Sequence, residues 1–247
     1  MVPKAKIKYL KSLQVKKYRK QEQSFVVEGA KSVQELLSSN FEVTWVGGTE
    51  NFLRAHARQL NSRKVETVEV SAKELEQLGS FQSNETVIAV AKMKQNSMPD
   101  LRDEFALVLD DLRDPGNVGT IIRTADWYGI KNIIASDETA DFYNPKTISA
   151  TMGSFCRVNV FYTHLGDFFR QNKLPVFGAF MDGADVHQLN FGKSGLIVIG
   201  NESNGVSNEV SEFVQQKVTI PRIGGAESLN AGIATGIILD NIFRLKK

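Results

Sequence analysis

The sequence predicts an α/β protein in two parts, each a sheet covered by helices. Three observations carry this. Short apolar, β-branched runs alternate with segments of helical periodicity along nearly the whole chain. A polar stretch with Pro99 and no periodicity, KQNSMPDLRD (94–103), divides it. In the second part, apolar runs end in polar, glycine-punctuated loops, as buried strands of a parallel sheet do where they present a ligand site at their carboxyl ends.

In order, residues 5–18 fit a helix with Ile7, Leu10 and Leu13 inward. SFVVEG (24–29) reads as strand, 30–39 as helix, VTWVGG (43–48) as strand and 50–60 as helix. VETVEV (65–70), a short helix over 72–78 and the strand ETVIAVAKM (85–93) complete a compact α/β unit. The second part opens on FALVLDDL (105–112), apolar enough to be buried on both faces, and turns at RDPGN (113–117). A helix follows with Val118, Ile121, Ile122 and Ala125 on its inner stripe, which leaves Arg123 outside it. Strand 131–136, a helix from Pro145 to Met152, strand 157–162, helix 165–171 and strand 175–181 continue the alternation. The resulting domains are 1–94, a linker at 95–103, and 104–247.

With 247 residues, 42% of them hydrophobic, the chain has ample material for real cores. The start lacks the apolar segment of a secretion signal and no stretch approaches membrane-spanning length, so the expected location is the cytoplasm, with no membrane partner. One cysteine, Cys156, excludes an internal disulfide and a cysteine-based zinc site, and its surroundings read as buried strand. Net charge is only +2, but the first twenty residues hold eight lysines and arginines and no acid. That density suits phosphate contact or a solvated helix face.

Two stretches stand out as a functional centre: LIVIGNESNGVSNEV (196–210) and VTIPRIGGAESLNAGIATGIILDNIF (218–243). Each runs from strand into a glycine-bearing loop, and Ser228 is placed to cap the helix that follows the second. Glu202 and Asn230 beside these glycines suit a polar ligand. Asp110, Asp111 and Asp114 could hold a magnesium ion, but Arg113 and Pro115 interrupt them and turn-making is the better reading. Gly192, Lys193 and Ser194 imitate the end of a phosphate loop, yet His187 stands where its first glycine belongs. The three histidines lack metal or triad spacing.

Three segments, DDLRDPGNVGTIIRTADWYGI (110–130), IGNESNGVSNEV (199–210) and IPRIGGAESLNAGIATGI (220–237), together resemble the three motifs of the SpoU family of RNA ribose 2′-O-methyltransferases, in the SPOUT superfamily. The likeness runs on through DFYNPKTISATMGSF (141–155), and SFVVEGAKSVQELL is similar to the opening of the substrate-binding domain of longer members. Arg222 stands where the family often has methionine.

The resemblance implies a C-terminal parallel-sheet domain with a deep trefoil knot, preceded by a small α/β ribosomal-protein-like RNA-binding domain. It implies S-adenosylmethionine as cofactor, held at Gly200, Ile220 and Leu229 with Thr151 and Ser228 nearby, and no metal. It assigns catalysis to Arg123, with Asn117 positioning it and Glu202 and Asn230 ordering the site. Arginine as a class has a pKa above about 12, which conflicts with a general base, so base and fixed cation both stay open. The expected substrate is structured RNA, ribosomal ahead of transfer RNA, and the alternative is a non-catalytic RNA-binding protein of the same fold. A homodimer is implied, with the small residues AGIATG (231–236) allowing helices to approach closely.

Overall fold

The computed structural model describes residues 2–80 and 84–244. By packing, the chain forms two compact units: one holds the chain up to Gln95 plus Asp141–Cys156, the other Asn96–Ala140 and the chain from Arg157 onward.

In the first unit, helices α1 (Lys4–Ser12) and α2 (Lys16–Glu22) lead into β1 (Ser24–Glu28), α3 (Ala30–Ser38), β2 (Val43–Gly48), α4 (Glu50–Ala55), α5 (Ala57–Ser62), β3 (Glu66–Glu69), α6 (Ala72–Leu78) and β4 (Val87–Lys92). The sheet order is β1-β4-β2-β3, with β4 antiparallel to β1 and β2, and β3 parallel to β2. Leu10, Leu13, Trp45, Leu75 and Ile88 pack as one core.

The helix expected over 5–18 is two helices. The guanidinium of Arg19, 1% exposed, donates to the carbonyls of Leu13 (2.9 Å) and Gln14 (2.8 Å), satisfying acceptors that the break leaves without helical partners. The helix expected over 50–60 likewise breaks at His56, whose ring stacks on Phe52 and whose Nδ1 lies 3.0 Å from the Phe52 carbonyl.

Asp141–Cys156 groups with this unit rather than with the rest of 104–247, and its side chains show why. Arg19 donates two bonds to one oxygen of Asp141, at 2.6 and 3.2 Å. Tyr143 and Phe155 place their rings 4.6 and 6.1 Å from that of Phe25. The segment's α8 (Pro145–Ala150) starts as expected with proline at its first turn, capped by Asn144. Cys156 lies half-buried in a 3-10 turn (Ser154–Cys156), not in the strand expected there.

The second unit carries β5 (Phe105–Leu109), α7 (Pro115–Trp127), β6 (Asn132–Ala135), β7 (Asn159–Tyr162), α9 (Leu165–Gln171), β8 (Val176–Asp185), β9 (Gly195–Ile199), α10 (Asn208–Ser211), β10 (Gln216–Thr219) and α11 (Ala231–Phe243). Its sheet is parallel throughout, in the order β10-β8-β9-β5-β6-β7. The chain adds β6 and β7 on one side of β5, then crosses to β8, returns to β9 directly beside β5, and ends at the edge with β10. Such a reversal opens a crevice at the strand carboxyl ends, here after β5 and β9.

Candidate functional site

The loops leaving β5 and β9 are fastened to each other. Asp110, buried at the end of β5, accepts the amide of Ser207 at 2.7 Å, and the Asp111 carbonyl accepts Asn201 Nδ2 at 2.7 Å. Asp111 also pairs with Arg113, and Asp114 caps α7 by accepting the amide of Asn117 at 2.8 Å. The three aspartates thus have turn-making and capping work. Helix α7 begins at Pro115, inside the segment expected to be a turn, because the Asp114 cap and a proline at the first helical position start it there.

The loop after β9 is a tight turn closed by two 2.9 Å bonds between the backbones of Asn201 and Gly205, while Asn201 Oδ1 accepts the amides of Ser203 and Asn204. Gly200 is required by this turn: a Cβ there would lie 2.2 Å from the Gly205 carbonyl carbon. The turn lifts Glu202 into an exposed position facing the start of α7.

Three predicted residues meet there in a directed chain. Asn230 is the N-cap of α11, its Oδ1 accepting the amides of Gly232 (2.9 Å) and Ile233 (3.3 Å). That turns its Nδ2 toward Asn117 Oδ1, at 2.8 Å, which in turn directs Asn117 Nδ2 to Glu202 Oε1, at 2.7 Å. Each amide has one orientation that satisfies both neighbours, so the α11 N-terminus sets the direction of the whole chain. The expected cap at Ser228 is corrected to Asn230: both residue types cap well, and only the latter also reaches Asn117.

Between β10 and Asn230, residues 220–229 make no backbone-to-backbone hydrogen bond with any described residue. Ser228 and Leu229 are exposed, Ile220 is half-buried, and a 3.2 Å bond from Arg222 to the Ala226 carbonyl braces the loop. Nothing lies within 4 Å of where a Cβ would stand on Gly224 or Gly225. A run of open peptide donors and acceptors beside apolar Ile223 and Leu229 can receive a ligand with both polar edges and a flat apolar body.

The remaining predicted residues take no part in this chain of bonds. Arg123 is exposed on α7, six residues and about 9 Å of helix rise beyond Asn117, with no hydrogen bond or ion pair to the described residues. Thr151 belongs to the other unit, where it is buried and donates to the Ile148 carbonyl at 2.7 Å. The small residues of α11 serve the chain itself: a Cβ on Gly232 would lie 2.9 Å from Thr120 of α7, and Tyr128 donates to Asp240 at 3.2 Å farther along the pair. Sequence reasoning passed over Asn201, although asparagine directly after a strand glycine is a turn signal. Among the described residues there is no cluster of three or more metal-ligating side chains and no helix long and apolar enough to cross a membrane.

Residues 104–240 match the model of the SpoU rRNA Methylase family, and residues 4–89 match the MRM3-like substrate binding domain. The chain is 29% identical to the 23S rRNA (guanosine(2553)-2′-O)-methyltransferase RlmP of Bacillus subtilis, over 95% of this chain and 94% of that protein. A TrmH-family structure from Porphyromonas gingivalis aligns over 99% of both chains with TM-score 0.87 and 35% identity. The AdoMet-bound rRNA methyltransferase of Sinorhizobium meliloti aligns over 99% of this chain and 96% of that one, with TM-score 0.88 and 29% identity. The chain belongs to the SpoU rRNA methylase family.

Proposed function

We propose that this protein methylates the 2′-hydroxyl of a ribose in ribosomal RNA, with S-adenosylmethionine as methyl donor. The observation that carries the reading is the directed chain from the α11 N-terminus through Asn230 and Asn117 to Glu202, set beside an open loop of unpaired peptide groups. S-adenosylmethionine supplies an electrophilic methyl group that needs no metal activation. The backbone of Gly200, Ile220 and Leu229, with Ser228, would hold it, and the free donors and acceptors of 220–229 fit its adenine and ribose edges. Thr151 is supported only by family likeness, since its hydroxyl is already engaged.

The Asn117 and Asn230 amides hold one oxygen of the Glu202 carboxylate in a set direction, which contributes the preorganisation a displacement reaction requires. Arg123, a fixed cation free of carboxylate partners among the described residues, would hold a substrate phosphate and the charge developing on the ribose oxygen. The proton of that hydroxyl then leaves to water.

The first part of the chain (1–94) serves as the RNA substrate-binding domain, followed by a linker at 95–103 and the catalytic domain 104–247. In the catalytic domain the 220–229 connection leaves β10, at the sheet edge, and delivers Asn230 to Asn117 after β5, three strands away. A connection crossing the strand ends in this way supports a trefoil knot. A cytoplasmic homodimer is the form in which the enzyme would act, and exposed Ile223 and Ile233 support the pairing.

Calorimetric titration of the full chain with S-adenosylmethionine tests the reading. Stoichiometric binding is expected, and the absence of heat from a folded protein would overturn it. Activity on transfer RNA transcripts but not on ribosomal RNA would move the substrate to the former.

A further inference from the structure

Helices α1 and α2 carry a dense run of exposed lysines. In the second unit Lys131, Arg157 and Lys217 sit beside Glu104, Asp126 and Asp182. Lys8, Lys11, Lys16, Lys17 and Lys20 are exposed and form no ion pair with the described residues. Arg19, in the same run, is turned inward and consumed by Asp141, and Lys6 pairs with Glu66, which leaves these lysines as the positive charge the run presents outward. On α2, Lys16 and Lys20 stand one turn apart, a like-charge spacing that disfavours a short helix.

Two apolar side chains stand in the middle of this charge. Val15 is 51% and Tyr18 41% exposed. Val15 is the extended N-cap residue of α2 and Tyr18 lies in its first turn, with Lys17 next to it in the chain. The preceding turn explains their exposure: Leu10 and Leu13 take the core positions, and Arg19 holds the carbonyls between the helices, so α2 presents its other faces outward.

Unpaired cations flanking an exposed aromatic ring are what a single-stranded nucleic acid requires: phosphate neutralisation on one side and a flat surface for a base on the other. Paired A-form RNA has no free base face to offer such a ring. Building on the RNA substrate proposed above, we infer that α2 is a docking platform for an unpaired nucleotide of the substrate, with Tyr18 stacking on its base and Lys16, Lys17 and Lys20 contacting the flanking phosphates. The substrate class is thereby narrowed to RNA that carries an unpaired segment for recognition.

The test measures binding of the full chain to two ribosomal RNA hairpins that share a stem, one with an open loop or bulge and one closed by a minimal tetraloop. Tyr18→Ala is expected to weaken binding of the first on the order of 10-fold and to leave the second within about twofold, while Tyr18→Phe behaves as wild type. Lys16→Glu, Lys17→Glu and Lys20→Glu combined should weaken both RNAs and lower the slope of log affinity against log salt by roughly 2 to 3, at ~0.7–0.9 per lost phosphate contact. S-adenosylmethionine binding should be unchanged in every variant. Equal affinity of wild type and Tyr18→Ala for the open RNA would overturn the inference while leaving the methyltransferase reading standing, whereas a wild-type chain that binds neither RNA would count against that reading itself. Unchanged RNA affinity combined with lost association with ribosomal particles would assign the face to a protein and also overturn it.

Discussion

Asn117 and Glu202, 85 residues apart in sequence, are joined by a 2.7 Å bond from the amide nitrogen of one to Oε1 of the other. Their geometry depends on a third residue, because Asn230 fixes which way the Asn117 amide points. Asn117→Asp replaces the donor with a carboxylate facing Glu202 and removes the order of the whole chain. It should lower kcat on the order of 10²-fold, with Asn230→Ala adding little to it, because residues acting as a unit are non-additive. Single-turnover methylation with the two single variants and the double variant checks this, and full additivity would show that the chain does not act as a unit.

Arg123→Lys separates the two roles an arginine could fill. Lysine keeps the charge but loses the planar fork and, as a free side chain, titrates near 10.4. A fixed cation predicts a loss on the order of 10²–10³ in kcat that does not shrink with pH. Activity that recovers toward wild type between about pH 9 and 10 would instead make the residue a base. Rates measured from pH 7 to 10, with cofactor binding verified in the variant, distinguish the two.

Arg19 belongs to the basic N-terminal run yet has a structural role. Removing one partner of a buried, hydrogen-bonded ion pair leaves the other without compensation, so Arg19→Ala should cost about 3–5 kcal/mol, and Arg19→Lys should recover little because one ammonium cannot reproduce the fork that serves Asp141, Leu13 and Gln14. Urea unfolding followed by Trp45 fluorescence in a Trp127→Phe background reads the first unit. A midpoint unchanged by Arg19→Ala would contradict the assignment.

Tyr143 gives a pH signature. Burial, reinforced by Asp141, pushes its phenol up to about 12 against the opposing bond from the Lys94 amide. A raised phenol pKa favours the neutral form in the folded protein, so its contribution is complete below the ordinary tyrosine value of about 10 and is lost as pH rises from there through about 12. Thermal melts between pH 9 and 12 should show a fall in stability that Tyr143→Phe reduces.

Much of this was legible in the sequence, and the exceptions share a cause. The β/α alternation and the outward position of Arg123 followed from local patterns, whereas Asn117, expected to position Arg123, bonds Glu202 and Asn230 instead. The break between α1 and α2 did not follow from local patterns, because it depends on Arg19, whose other partner lies 122 residues away. Ser228 and Asn230 are both good caps, and a bond to α7 decides between them. The small-residue run 231–236 was read as allowing helices to approach closely, and at Gly232 the helix that does so is α7 of the same chain, through Thr120. Periodicity says that a face is small or buried, and only tertiary structure says what it meets.

Transfer of the methyl group to a ribose oxygen can be read directly from the products. The direct measurement incubates the full chain with ribosomal RNA and methyl-labelled S-adenosylmethionine, hydrolyses the RNA in alkali and separates the products. A methylated 2′-oxygen cannot attack the neighbouring phosphodiester, so the account predicts label in alkali-stable dinucleotides, diminished in Arg123→Lys and Asn117→Asp. Label recovered in mononucleotides would place the methyl group on a base and contradict it.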